Sequence, residues 1–421
     1  MKIAKIFARE ILASGGEPSL EVDVTLESGE VGRASVSYGV SAGSKEAFVL
    51  VDGDFKRYNG KGMIKAVANV NEKIAGLIVG QEVTDQRGID KKMIDADGTE
   101  NKSNFGANAI LGVSMAVARA AANHQKVELY EYLRQAFKIT ADKSANYSLP
   151  KPLAVLIEGG KHADNSTDLQ EYILAVTKDQ PTSENVRMME EVYKSLKGIL
   201  KARKLSTNVG NEGAFAPEGI ANNELPLELI TEAISKAGYK PVEDAGIYVD
   251  AAASEFFKDG KYNLATENKS VSADELIKTY LGWLKKYPIV AWEDMLSEFD
   301  WEHWPKLLEQ ISIPLVADDL TVTNVKLWQK AIDAKAANAI LIKLNQVGTV
   351  TETVDCCLLA NKHQMLTIPS HRGGGETNDT FLVDLAVAVG SKWIKVGPTR
   401  GERVCKYNRL MEIEEQLNYS N

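Results

Sequence analysis

Apolar and polar residues alternate singly along the first stretches of the chain. SLEVDVTLES, from Ser19, and GRASVSYGV, from Gly32, are punctuated by Glu17-Pro18, Ser28-Gly29 and Gly39, which predicts a small antiparallel sheet. From Gly60 to about Thr140 the period becomes helical, and FGANAILGVSMAVARAAANH, from Phe105, is rich in Ala and Gly on faces that pack closely against another element. Together these predict an α+β domain over residues 1–138. ADKSANYSLPKP, from Ala141, is polar and charged and closes on two prolines around Lys151, so it reads as a linker into a second domain over residues 139–421.

In that second part the rhythm changes. Short β-branched runs end in polar or charged residues and alternate with helical segments: GIYVDAA, PIVAWED, IPLVADD, AILIKLN, MLTIPSH and KWIKVG. Asp250, Glu293, Asp318, Lys343, His371 and Lys395 follow one another at intervals of 43, 25, 25, 28 and 24 residues, roughly one strand-helix unit each. Successive parallel strands with a common polar end predict an α/β barrel whose carboxyl mouth gathers those side chains. No strand is followed by GxGxxG, so an open dinucleotide-binding sheet lacks its signature.

The length of 421 residues suits two domains, and 44% hydrophobic with 25% charged residues is the balance of a water-soluble globular chain. MKIAKIFAREILAS is interrupted by Lys5, Arg9 and Glu10, unlike a signal peptide or a membrane span, which predicts a cytoplasmic protein with no membrane partner. A formal charge of −9 without a long basic run argues against nucleic acid as a partner but leaves room for a small anionic substrate. Cys356, Cys357 and Cys405 cannot close a disulfide framework and read as buried thiols, the first two inside a helix.

Three strand-end carboxylates, Asp250, Glu293 and Asp318, would repel one another without a cation, and an oxygen-only set on rigid strands suits Mg²⁺. The plain alternative is that each acid only pairs with a neighbouring lysine. Lys343, between apolar residues, is a candidate base with a proton affinity lowered by desolvation, or else a structural partner for Asp318. Lys395 offers a second cation, better suited to holding an anion. Metal, lysine base and an opposed acid form the constellation for removing a proton α to a carboxylate. Glu212 in NVGNEGAFAP, Glu171 in LQEYILAV and His162 in EGGKHADN are the candidate acid partners.

EVDV, GANAILGVSMA, EGGKHAD, LQEY, NVGNEGAFAP, VDAAASEF, ADDLTVTN, LIKLNQVGTVTET, SHR with ETNDTF, and KYNRLMEIEEQL run from one end of the chain to the other. With these motifs the whole chain resembles the enolase (phosphopyruvate hydratase) family. The resemblance implies an N-terminal α+β domain, an eight-stranded TIM-like α/β barrel with irregular first units, and homodimers or dimer-based octamers. It implies two Mg²⁺ per active site, the tighter one held by Asp250, Glu293 and Asp318, with Ser41 helping to admit the second. Lys343 would take the C2 proton of 2-phosphoglycerate, and Glu212 would protonate the departing hydroxyl with support from Glu171. His162 and His371 would lie near the substrate, Lys395 would hold its carboxylate side and Arg372 its phosphate.

The chain also departs from the family pattern. Gly15 stands for an arginine and removes an expected subunit contact, Ala42 for a threonine, Glu158 for an asparagine, Asn211 for an aspartate, and EDML for EDPF. SHRGGGET gains a residue and loses a serine that would face the phosphate, while GPTRGER after Lys395 is one residue shorter. These changes leave three readings: the glycolytic dehydration, the same chemistry on a modified phosphonate or phosphate-ester acid, and a non-catalytic binding or scaffold role.

Overall fold

The computed structural model describes residues 1–39, 43–139 and 147–419. The predicted opening sheet is formed by β1 (Ile3–Leu12), β2 (Pro18–Leu26) and β3 (Val31–Ser35), antiparallel and in that order. Alternation along β2 buries Leu20, Val22, Val24 and Leu26 on one face. Helix α1 (Ala107–Gln125) covers that face and is buried along most of its length. Its small residues permit the approach: a Cβ on Gly112 would lie 2.7 Å from Val22 and 2.8 Å from Leu20, so this position must be glycine.

The second part is a ring of eight strands among the described residues: β4 (Lys151–Glu158), β5 (Glu171–Val176), β6 (Ala245–Asp250), β7 (Ile289–Glu293), β8 (Leu315–Ala317), β9 (Ala339–Ile342), β10 (Leu366–Pro369) and β11 (Trp393–Val396). Neighbours run in chain order, β11 pairs with β4, and a bridge between Ser370 and Lys395 joins β10 to β11. From β6 through β11 to β4 the pairs are parallel, as the spacing predicts, whereas β5 runs antiparallel to both neighbours. The ring interior is filled by Leu153, Val155, Ile173, Tyr248, Val316, Leu341, Ile368 and Trp393. A second apolar layer lies between strands and outer helices and is continuous with the N-terminal core. Burial on both faces explains why these strands read as unbroken apolar runs.

Three expectations need correction. The linker reading extended to Pro152, but β4 begins at Lys151, whose N–H donates to Lys392 O at 2.9 Å. A proline at the second position of a strand forfeits one ladder donor and is tolerated there. The long interval before Glu293 holds an additional three-stranded antiparallel sheet at Phe257–Lys258, Lys261–Leu264 and Lys269–Val271 ahead of its helix. Cys356 and Cys357 are buried in the helix Val350–Lys362 as expected, but Cys405 is only half-buried. Most of the linker's polar stretch, residues 141–146, and both Ser41 and Ala42 lie outside the described residues.

The two parts meet at the glycine-rich segment. Gly374 and Gly375 pair antiparallel with Gly39 and Tyr38. Ser14 Oγ donates to Gly374 O at 2.9 Å and accepts from Glu376 N at 3.1 Å. Gly15 is exposed but lies against this segment: a Cβ there would lie 2.8 Å from Gly374 O.

Candidate active site

The strand ends bring the polar residues to one mouth, as the barrel reading requires. Asp250 and Glu293 are the closing residues of β6 and β7 and are register partners. Asp318 and Lys343 immediately follow β8 and β9, and Lys395 lies within β11. All five are buried or nearly so. The Lys395 ammonium binds Glu171 Oε2 at 2.8 Å, Asp250 Oδ2 at 2.9 Å and Glu293 Oε1 and Oε2 at 2.9 and 2.8 Å. Burial depresses a lysine, but here Asp250, Glu171 and Glu293 overcome it and hold Lys395 well above its ordinary range. Burial and the neighbouring acids push Glu293 well up, and burial, with Glu171 adding to it, also raises Asp250. Tyr248 donates its hydroxyl to Glu293 Oε2 at 2.6 Å.

Lys343 forms an ion pair with Asp318, whose other oxygen accepts from Gln346 Nε2 at 2.8 Å. Desolvation presses Lys343 down, but the adjacent Asp318 charge outweighs that and raises it. The structure thus shows the partnership with Asp318 that was the plain alternative for Lys343.

The proton-handling groups on the other wall are equally enclosed. His162 Nδ1 lies 3.1 Å from Glu171 Oε1 and 3.6 Å from Glu212 Oε1. Burial lowers this imidazole, yet Glu171 and Glu212 prevail and lift it to about 9. Glu212 is raised by burial and more strongly lowered by His371, His162 and Arg403, so it stays below the usual carboxylate range. His371 Nε2 approaches Glu212 Oε2 at 3.0 Å. His371 Nδ1 accepts from Gly397 N at 3.2 Å and faces Arg403 Nη1 at 2.6 Å. Two donors on Nδ1 place the imidazole proton on Nε2, toward Glu212. Burial, with Arg403 beside it, lowers His371 and keeps it neutral.

Arg372 is buried at the phosphate end proposed from the sequence, its fork on Glu46 at 3.0 and 3.1 Å and on Asn345 Oδ1 at 3.2 Å. The Gly39 backbone closes over the guanidinium so tightly that a side chain there would overlap it. Gly373 lies against the acid pair: a Cβ would stand 2.6 Å from His162 Cε1 and Nε2 and 2.8 Å from Glu212 Oε1.

Every described residue named from the sequence therefore reaches this mouth. Sequence reasoning missed Arg403, Glu46, Asn345 and Tyr248. Arg403 lay inside the shortened GPTRGER segment, where an arginine two turns from a strand end was the available signal. Tyr248 and Asn345 lie two residues from Asp250 and Lys343, inside the quoted GIYVDAA and AILIKLN runs, whereas Glu46 is remote in sequence and carries no signal.

An enolase N-terminal domain family model matches residues 3–133, and an enolase C-terminal TIM barrel domain model matches residues 146–421. The chain belongs to the enolase family. It is 50% identical over 419 residues to a protein named enolase from Elusimicrobium minutum (strain Pei191), covering 99% of this chain and 96% of that one. The barrel mouth just described lies within the part matched by the TIM barrel domain.

Among the described residues two groups of side chains have donor atoms close enough to share a metal ion: His162 with Glu171 and Glu212, and Asp294 with Asp318 and Asp319. The trio read from the sequence overlaps the second group only at Asp318. Its other two members crowd around the Lys395 ammonium, and their raised proton affinities show carboxylates in need of positive charge. An oxygen-only, multiply anionic donor set of this kind fits a hard divalent cation.

Proposed function

We propose that the protein is a phosphopyruvate hydratase that dehydrates 2-phospho-D-glycerate to phosphoenolpyruvate, reversibly, as a step of glycolysis. The observation that carries the mechanism is the placement of base and acid. Lys343 follows β9 and Glu171 opens β5, four strands apart in an eight-strand ring and hence on opposite walls, with the Lys395-carboxylate cluster between them. A substrate lying across that cluster presents its C2 proton to Lys343 and its C3 hydroxyl to Glu212. Lys343 Nζ takes the C2 proton, the electron pair becomes the C2–C3 double bond, and the hydroxyl leaves as water with a proton from Glu212, which the protonated His162 beside it first supplies to that ionised carboxylate. His162, shared between Glu171 and Glu212, holds the proton that replenishes the acid, and neutral His371 orients it.

Asp250, Glu293 and Asp318 would hold Mg²⁺, two ions per site counting a second admitted with Ser41, and these would stabilise the doubly charged ene-diolate. Lys395 then faces the substrate carboxylate and Arg372 its phosphate, a role that suits a planar guanidinium. In this reading residues 1–138 and 139–421 are the two domains, the assembly is a homodimer or a dimer-based octamer, and the compartment is the cytoplasm. Among the described residues no helix is long and apolar enough to cross a membrane.

Absorbance at the enolpyruvate band, with purified protein, Mg²⁺ and 2-phosphoglycerate, tests the activity, and Lys343→Ala tests the base. Wild type turns over, chelation of the metal stops it, and Lys343→Ala loses exchange of the C2 proton with solvent. Negligible wild-type turnover with Mg²⁺ present would move the assignment to a related phosphonate or phosphate-ester acid. Normal exchange in Lys343→Ala would remove Lys343 from the role.

A further inference from the structure

Glu158 stands where the family resemblance puts an asparagine, and the fold gives its longer, ionisable side chain a particular task. The residue closes β4 and is the register partner of Glu171 on β5. It is fully buried. Its backbone is fixed on both sides: its N–H donates to Phe215 O at 2.9 Å, and its carbonyl accepts from Ser166 Oγ at 2.9 Å. From that anchored position Oε1 accepts two backbone N–H bonds, from Glu212 and from Ala214, each at 2.9 Å. The second oxygen, Oε2, has no hydrogen-bond partner among the described residues and presses on Gly210, leaving no room for a Cβ there.

One rigid side chain thus grips the Gly210–Ala214 turn from within. Within the turn Gly210 N donates to Ala214 O at 3.0 Å and Gly213 N to Gly210 O at 3.4 Å. From outside, Tyr193 and Thr399 hydroxyls donate to Gly213 O at 2.9 and 3.1 Å and Arg400 Nη2 to Gly210 O at 2.8 Å, so these hold the carbonyls while Glu158 holds the N–H groups of Glu212 and Ala214. A strand anchors the clamp, and the turn it holds carries Glu212. Asparagine is shorter by one C–C bond, about 1.5 Å, so it cannot span the same gap without the turn moving inward.

We propose that Glu158 is a positioning residue for Glu212, its carboxyl bracketing the Gly210–Ala214 turn so that Glu212 is held at the elimination end of the site. The proposal rests on Glu212 being the donor to the leaving hydroxyl. The electrostatics agree with it. Burial, with the Glu212 charge adding to it, pushes Glu158 up to about 8, so at neutral pH it is uncharged and does not repel the acid it positions.

The test compares two rates in the full-length protein: enolpyruvate formation and exchange of the C2 proton with solvent, the second requiring Lys343 but not Glu212. Glu158→Ala releases the turn, and misplacement of a reacting group by an ångström costs on the order of 100-fold in rate. Elimination should slow by roughly 10- to 100-fold while C2 exchange stays within about twofold. Glu158→Gln retains a carbonyl oxygen for the two amides and should restore most of the lost elimination rate. If Glu158→Ala does not fold, Glu158→Asp, which shortens the clamp, should give the same split between the two rates. Parallel loss of both rates, no loss, or failure of Glu158→Gln to rescue would overturn the proposal. Glu212→Gln serves as reference: if it does not slow elimination relative to exchange, the role of Glu212 is wrong and the clamp falls with it. If it does, the outcome at Glu158 stands alone.

Discussion

Substituting Gly373 by alanine adds a single methyl group at the most crowded point of the acid wall. The methyl carbon would sit 2.6 Å from His162 Cε1 and Nε2 and 2.8 Å from Glu212 Oε1. Ordinary carbon contacts begin near 3.4 Å, so roughly 0.6 to 0.8 Å must be found by moving these groups or the glycine segment. Neither side gives easily. His162 and Glu212 are buried and tied to Glu171 and His371, while the segment is pinned by Ser14 and by its pairing with Tyr38 and Gly39. Overpacking of this kind costs about 1–3 kcal/mol of stability. A displacement approaching an ångström at a proton donor costs on the order of 100-fold in rate, about 2.7 kcal/mol of transition-state stabilisation. Gly373→Ala should therefore lower kcat for enolpyruvate formation by roughly 10- to 100-fold, with KM much less affected. Stopped-flow absorbance gives kcat and KM, and denaturant unfolding gives the stability loss. A kcat within about twofold of wild type at unchanged stability would show that the segment yields freely, and the reasoning from packing would fail. Restoring a serine here, as the family pattern has it, should be no better than alanine because its Cβ meets the same atoms.

Two further outcomes follow from the same geometry. Arg372→Lys replaces a fork that engages Glu46 and Asn345 with a point charge, so KM for 2-phosphoglycerate should rise by about tenfold or more with a smaller change in kcat; steady-state kinetics showing an unchanged KM would separate Arg372 from the phosphate. His162 is raised to about 9 in the folded protein, so the stability it confers is complete below its unfolded value of 6.5 and is lost as pH rises through about 9. Between those limits the wild type should lose up to about 3 kcal/mol that His162→Asn does not, and parallel unfolding free energies for the two proteins across that range would contradict it.

How much of this was legible beforehand depended on what each residue needs. Strand-end residues announce themselves because a charge closing an apolar run is costly anywhere but at a mouth, and Asp250, Glu293, Asp318, Lys343 and Lys395 were found in that way. Glu212 and His162 sit in glycine-punctuated segments with no period and were read only as candidate acid partners, while the role of Arg372 came from motif likeness. Glu158 was visible only as a mismatch to the family pattern, and its grip on Glu212 and Ala214 depends on a turn 54 residues away in the chain. For Lys343 the sequence left two readings, base or partner of Asp318, and which neighbour its ammonium meets is set by the adjacent strand.

The order of apolar and polar residues by itself determined two domains, a strand-helix succession and the set of charges delivered to one end of a barrel, because periodicity and desolvation act along the chain. Only the tertiary structure decided which charges face one another. It seated Lys395 among three carboxylates, paired Lys343 with Asp318, set the His371 proton toward Glu212 and folded the three glycines against Gly15, Gly39 and the acid pair. Those outcomes turn on distances of a few ångströms between segments remote in sequence, and electrostatic and packing energies at that range are set by closure of the ring.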